Sequence, residues 1–118
     1  INHPDHRATG EASLYAVCPS AETRPIFPEL LKEGLEPHHV NELWLMFSMQ
    51  PNRYVDITKG FDRKIAALLC HRSQLDEESI EFIREMDAAA GQRSGYELAE
   101  EFRVMTFYNT PSAPDATT

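Results

Sequence analysis

Five consecutive apolar residues, Leu43-Trp44-Leu45-Met46-Phe47, constrain the fold of this chain more than any other feature. The run has strand length but lacks the alternation of a strand with one wet face. A continuous apolar strand is predicted to be buried on both faces, as in a parallel sheet covered by helices. That is a large demand on 118 residues, because a chain of this size buries only a modest core. Helical and strand signals alternate around the run, so the predicted class is α/β. The two or three strands found are too few for a doubly wound sheet. The chain therefore reads as the second half of a larger α/β domain.

The remaining elements follow from spacing and punctuation. Arg7 to Val17 reads as a helix with Ala8, Ala12, Tyr15 and Ala16 on one face, and Asp5 is placed to cap its first turn. Pro19, Pro25 and Pro28 mark a loop, and Pro28 opens a short helical turn that reaches Leu35. Arg53 to Ile57 is a second short strand. Thr58 is predicted to cap a helix whose apolar face is Phe61, Ile65, Leu68 and Leu69 and which ends near Ser73. Asp76 caps the next helix, with Ile80, Ile83, Met86 and Ala90 as its stripe and Gly91 as its stop. The acidic residues from Asp76 to Asp87 read as a solvated face. Gln92 to Gly95 reads as a flexible joint. Phe102, Val104 and Thr106 alternate like a strand. Residues 1–108 are expected to form one domain portion, and Asn109 to Thr118 a disordered tail.

Charge and cysteine usage exclude several partners. Lys and Arg number 11 against 19 Asp and Glu, a formal net charge of −8. Such a chain offers no basic stripe for a phosphate backbone and none for an anionic membrane surface. No apolar run reaches the length of a membrane span. Cys18 and Cys70 are far apart and form no Cys-x-x-Cys pair. They are expected to be free, partly buried thiols in a reducing compartment, which suggests a cytoplasmic protein.

The chemistry is concentrated in His3-Pro4-Asp5-His6. Two imidazoles and a carboxylate within four positions can serve a metal ion and a proton transfer together. His6 is the best single candidate for a metal ligand. Asp5 is placed to orient His3, raising its basicity and fixing its tautomer. His3 would then stabilise a developing oxyanion or act as general acid for a leaving amine. A metal site needs three or four ligands, so the rest of the site is expected on polypeptide outside these residues. In the alternative reading, Asp5 caps the helix, Pro4 presets the turn and both histidines are exposed loop residues. Other groups are weaker. His38-His39 has no third donor nearby, and His71-Arg72 suits the negative end of a helix dipole. There is no Gly-rich phosphate loop and no Gly-x-Ser-x-Gly elbow.

Three segments resemble a known family in the right order. His3-Pro4-Asp5-His6-Arg7-Ala8-Thr9-Gly10 is similar to the second metal motif of the LmbE-like, PIG-L-type zinc deacetylases. Lys64 through Gln74, ending His71-Arg72-Ser73-Gln74, looks like a later helix of that family. Leu98-Ala99-Glu100-Glu101-Phe102 resembles its C-terminal Ala-Glu-x-Phe segment.

The resemblance implies a Rossmann-like, three-layer α/β enzyme, of which this chain is the C-terminal half. It implies removal of N-acetyl groups from an amino sugar or related conjugate. It makes His6 the third ligand of a Zn2+ ion, His3 the oxyanion or general-acid histidine, and Asp5 its orienting carboxylate. The family's first motif, His-Pro-Asp-Asp-Glu, is nowhere in this chain. It would supply two zinc ligands and the general base, so these residues alone are expected to be inactive. Leu98 stands where the family often has Tyr, with Tyr96 nearby. The implied partners are an N-acetylated small molecule and the missing N-terminal half, which could be a separate chain. A homo-oligomer is compatible with this reading, whereas nucleic acid is not. The competing class is a non-catalytic α/β module that uses the same scaffold for binding or assembly.

Overall fold

The computed structural model describes residues 3–108. The predicted tail, residues 109–118, lies outside them. The described elements are α1 (Pro4–Tyr15), α2 (Pro28–Lys32), β1 (Glu42–Met46), β2 (Arg53–Asp56), α3 (Phe61–Leu68), α4 (Glu77–Ser94) and β3 (Ala99–Thr106). A mixed α/β arrangement results, with three strands in the order β1-β3-β2. The chain divides into two compact units, Ile1–Leu45 with Val104–Thr118, and Met46–Arg103.

In the first unit, α1 starts three residues earlier than its apolar spacing suggests, because Pro4 supplies the fixed φ of a first helical position. Asp5 is not the cap. His3 takes that place, its ring accepting the Asp5 N–H, and Asp5 sits inside the first turn. None of the α1 side chains is buried, including Ala8, Ala12 and Tyr15, nor is Ala16 just after it. Alanine methyls carry too little area to hold a helix face down by themselves. After α1 a wide helical turn, Ala16–Ser20, breaks at Cys18 (φ −142°, ψ 120°). Phe27 takes a left-handed conformation immediately before Pro28 opens α2.

The β1 expectation needs correction. Leu43 and Leu45 are half-buried, while Trp44 and Met46 are 39% and 57% exposed. Side chains alternate across a strand, and the described residues cover only one side of this one. At the other end of the unit, the Phe107 N–H donates to the Asn41 carbonyl at 2.9 Å, setting the end of β3 beside the start of β1.

The second unit is better packed. β2 and β3 are antiparallel, with Arg53 opposite Phe102 and Asp56 opposite Ala99. Thr58 does not cap α3; Gly60 does. The Thr58 hydroxyl instead accepts the Leu98 N–H at 3.3 Å, and the Ile57 N–H donates to the Leu98 carbonyl at 3.0 Å. These bonds join the end of β2 to the start of β3.

Asp76 caps α4 as predicted, its carboxylate accepting the Ser79 N–H at 2.9 Å. Gly91 does not end α4. The helix continues to Ser94, and Gly95 closes it with a left-handed φ of 83°. The predicted joint at Gln92 is therefore the last turn of the helix. Gly91 is glycine for another reason: a Cβ there would lie 2.6 Å from the Glu97 carbonyl oxygen and 2.7 Å from that of Tyr96. The buried residues of this unit include Phe61, Ala90 and Ala99, and the Arg84 guanidinium lies 4.6 Å from the Phe61 ring centroid. Asp87 does not belong to a solvated face, for it is only 2% exposed.

Candidate functional site

The first turn of α1 brings His3, Asp5 and His6 together. His3 sits just outside the helix (φ −54°, ψ 142°), and its Nδ1 accepts the Asp5 backbone N–H at 3.2 Å. The Arg7 N–H donates to the His3 carbonyl at 3.2 Å and closes the turn. Positions three apart share one side of a helix, so the His3 and His6 rings face each other at 5.8 Å between centroids, tilted by 56°. The nearer Asp5 carboxylate oxygen lies 3.7 Å from His3 Nδ1.

This geometry gives the two histidines different freedoms. With Nδ1 accepting an N–H, neutral His3 carries its proton on Nε2. On protonation Nδ1 becomes a donor, and the Asp5 carboxylate is the adjacent acceptor. The His6 ring makes no hydrogen bond among the described residues, so its nitrogens are not engaged there. The His3 and Asp5 side chains are 64% and 87% exposed, so the cluster is open to whatever approaches it. Among the described residues, no group of three or more His, Cys, Asp or Glu side chains is arranged to hold a metal ion.

The other histidines are placed elsewhere. His71 is exposed in the turn after α3. His39 belongs to a second polar cluster that the spacing did not signal. Its Nδ1 lies 3.2 Å from the Glu22 carboxylate, and its ring is 4.6 Å from that of Tyr108. The Tyr108 hydroxyl and the Cys18 thiol also donate to Glu22. Those donors, Tyr108 first, then Cys18 and His39, hold the Glu22 carboxyl down at about 2. Its hydrogen bond and negative charge in turn raise the Cys18 thiol above its ordinary value. Both cysteines are free, and both are exposed rather than partly buried.

No protein-family model matches the chain. Its fold is similar to a solved structure of N,N'-diacetylchitobiose deacetylase from Pyrococcus horikoshii in complex with the inhibitor MPG. That match has a TM-score of 0.79 and 31% identity, and it covers 95% of this chain and 45% of that one. In sequence, a diacetylchitobiose deacetylase from Thermococcus kodakarensis is 33% identical over 108 residues, which is 87% of this chain and 40% of that protein. The chain thus spans less than half the length of these two relatives. Among the described residues, no helix is long and apolar enough to cross a membrane.

Proposed function

We propose that the chain is the C-terminal part of a Rossmann-like, zinc-dependent N-deacetylase acting on an acetylated amino sugar. The likeness in sequence and fold to two diacetylchitobiose deacetylases carries the reading. The outward-facing His3, Asp5 and His6 supply chemistry suited to it.

In this reading His6 is one zinc ligand, and its unengaged, exposed ring fits that use. The remaining ligands and the general base come from an N-terminal half, on the same chain or a separate one. Zinc, when bound, lowers the pKa of a water and polarises the acetyl carbonyl. The chain's own residues then do two things. His3 presents Nε2–H toward the oxygen on which charge develops, or delivers that proton to the departing amine. Asp5 holds His3 through its backbone N–H, and its carboxylate takes over as the acceptor when His3 is protonated. The same reading places the enzyme in the cytoplasm.

The experiment is metal analysis of the intact protein that contains this chain. His6→Ala is expected to lose zinc, while His39→Ala retains it. Equal zinc content in the His6 variant and the parent overturns the ligand assignment. A non-catalytic module is the second reading, because the described residues hold no three-donor group. An intact protein that binds no zinc and releases no acetate from diacetylchitobiose would establish it.

A further inference from the structure

The strongest feature outside the histidine cluster is a polar group inside the second unit. Lys64 of α3 reaches Asp87 of α4 at 2.6 Å and Glu100 of β3 at 2.8 Å. The Asp87 side chain is 3% exposed, that of Lys64 23% and that of Glu100 33%. The group stands in the wall of an apolar cavity of about 390 Å³, beside Met46, Phe47, Leu68, Ile83, Met86 and Phe102. Three elements that share no local backbone pairing are thus joined through one ammonium.

The charges do not balance. One cation serves two carboxylates, so the fully ionised group carries a net charge of −1, with Asp87 at its buried end. The charged groups acting on Asp87 are Lys64 from α3 and Glu100 from β3. Glu101, which also borders the cavity, is matched separately by Arg93 at 2.7 Å. A carboxyl short of water and beside a second negative charge holds its proton more tightly. From this juxtaposition we infer that Lys64, Asp87 and Glu100 form a proton-operated lock, which binds α3, α4 and β3 more firmly once it takes up a proton near Asp87.

The directions of titration agree with the geometry. Burial raises the Asp87 carboxyl above its ordinary value, with the Glu100 charge adding to it, against the pull of Lys64. Burial pulls Lys64 down, but the two carboxylates outweigh it and hold the ammonium above its ordinary value. A raised folded-state value means that the protonated form favours folding. The Asp87 contribution is therefore complete below the ordinary Asp range and fades as pH rises through its folded value. This runs opposite to the acid loss produced by a carboxylate whose value is depressed.

The test is a side-chain carboxyl NMR titration of the full chain, with melting temperature followed over the same pH range. Asp87 is expected to titrate above the usual ~3.9. Glu100→Gln, which removes the second negative charge, should move that midpoint down. Lys64→Met should move it up. Asp87→Asn, a neutral mimic of the protonated acid, should keep the fold and flatten the pH dependence of melting just above the ordinary Asp range. An Asp87 midpoint at or below 3.9, or one that Glu100→Gln leaves unmoved, overturns the inference. So does an Asp87→Asn chain whose melting retains the parental pH dependence.

Discussion

The start of α1 and the heart of the second unit are built on opposite terms. Around α1 the reactive groups stand in the open, on a helix that buries none of its own side chains. Around Lys64 the charged groups are enclosed, and they hold helices and strand together. A side chain that must meet a substrate cannot also be packed away, and one that fixes tertiary structure gains by being packed. The two regions should therefore respond to substitution in different currencies, turnover in one and stability in the other.

The largest effect expected is at His3. In the intact protein, His3→Ala should lower kcat by about 10²–10³, with zinc retained and KM little changed. Melting should fall only modestly, by about 1 kcal/mol, because the His3 ring also caps α1. Steady-state kinetics on diacetylchitobiose, set beside a melting curve, checks both. A large drop in melting temperature would break the comparison at its exposed end.

Lys64→Met should do the reverse. It leaves Asp87 and Glu100 facing each other without a cation, at a loss of about 3 kcal/mol, the low end for a broken buried pair since Lys64 keeps some solvent contact. Urea denaturation reads this directly. An unchanged midpoint would mean that the triad contributes nothing net to the second unit.

Gly91→Ala comes next, at about 2 kcal/mol, because its methyl would meet two backbone carbonyls rather than a movable side chain. Gly10→Ala is the control, since a Cβ there meets nothing within 4 Å. Similar melting temperatures for the two variants would show that the segment after α4 can give way.

The smallest effect concerns Glu22, which is half-buried and ringed by donors. Its carboxyl is held near 2 against an ordinary 4.5. Its contribution is therefore present above 4.5 and is lost as pH falls through about 2. Glu22→Gln should remove that part of the acid sensitivity in a pH series of melting curves. A parental slope in the variant would show that the cluster leaves no mark on stability.

What was legible in the sequence was local. The Asp76 cap, the Pro28 start and the strand signal of Phe102 and Val104 each depend on neighbours a few residues away, and each stands in the structure, although Thr106 is exposed. Gly91 was read as a stop because nothing nearby shows that residues 96 and 97 fold back over it. Asp87 was read as solvated because its company on α4 is acidic, while its partner lies 23 residues earlier. Lys64 and Glu100 did fall inside the segments that carry the family resemblance, but nothing in their spacing says that they pair. The antiparallel register of β3 on β2 joins residues far apart in the chain, which one-dimensional periodicity does not encode. The histidine cluster was legible because its members are adjacent in sequence. The Glu22 cluster was not, since Tyr108 lies 86 positions away.

Trp44, the chain's single tryptophan, carries a practical consequence. It sits on the exposed side of β1, with its indole N–H donating to Glu42 at 2.9 Å. The protein thus contains its own optical reporter, on the strand whose apolar content exceeds its cover. Anything that settles over that face, whether further polypeptide or another molecule, will exclude water from the indole and shift its emission to the blue. Assembly can then be followed by intrinsic fluorescence in a plain titration, with no dye and no engineered label.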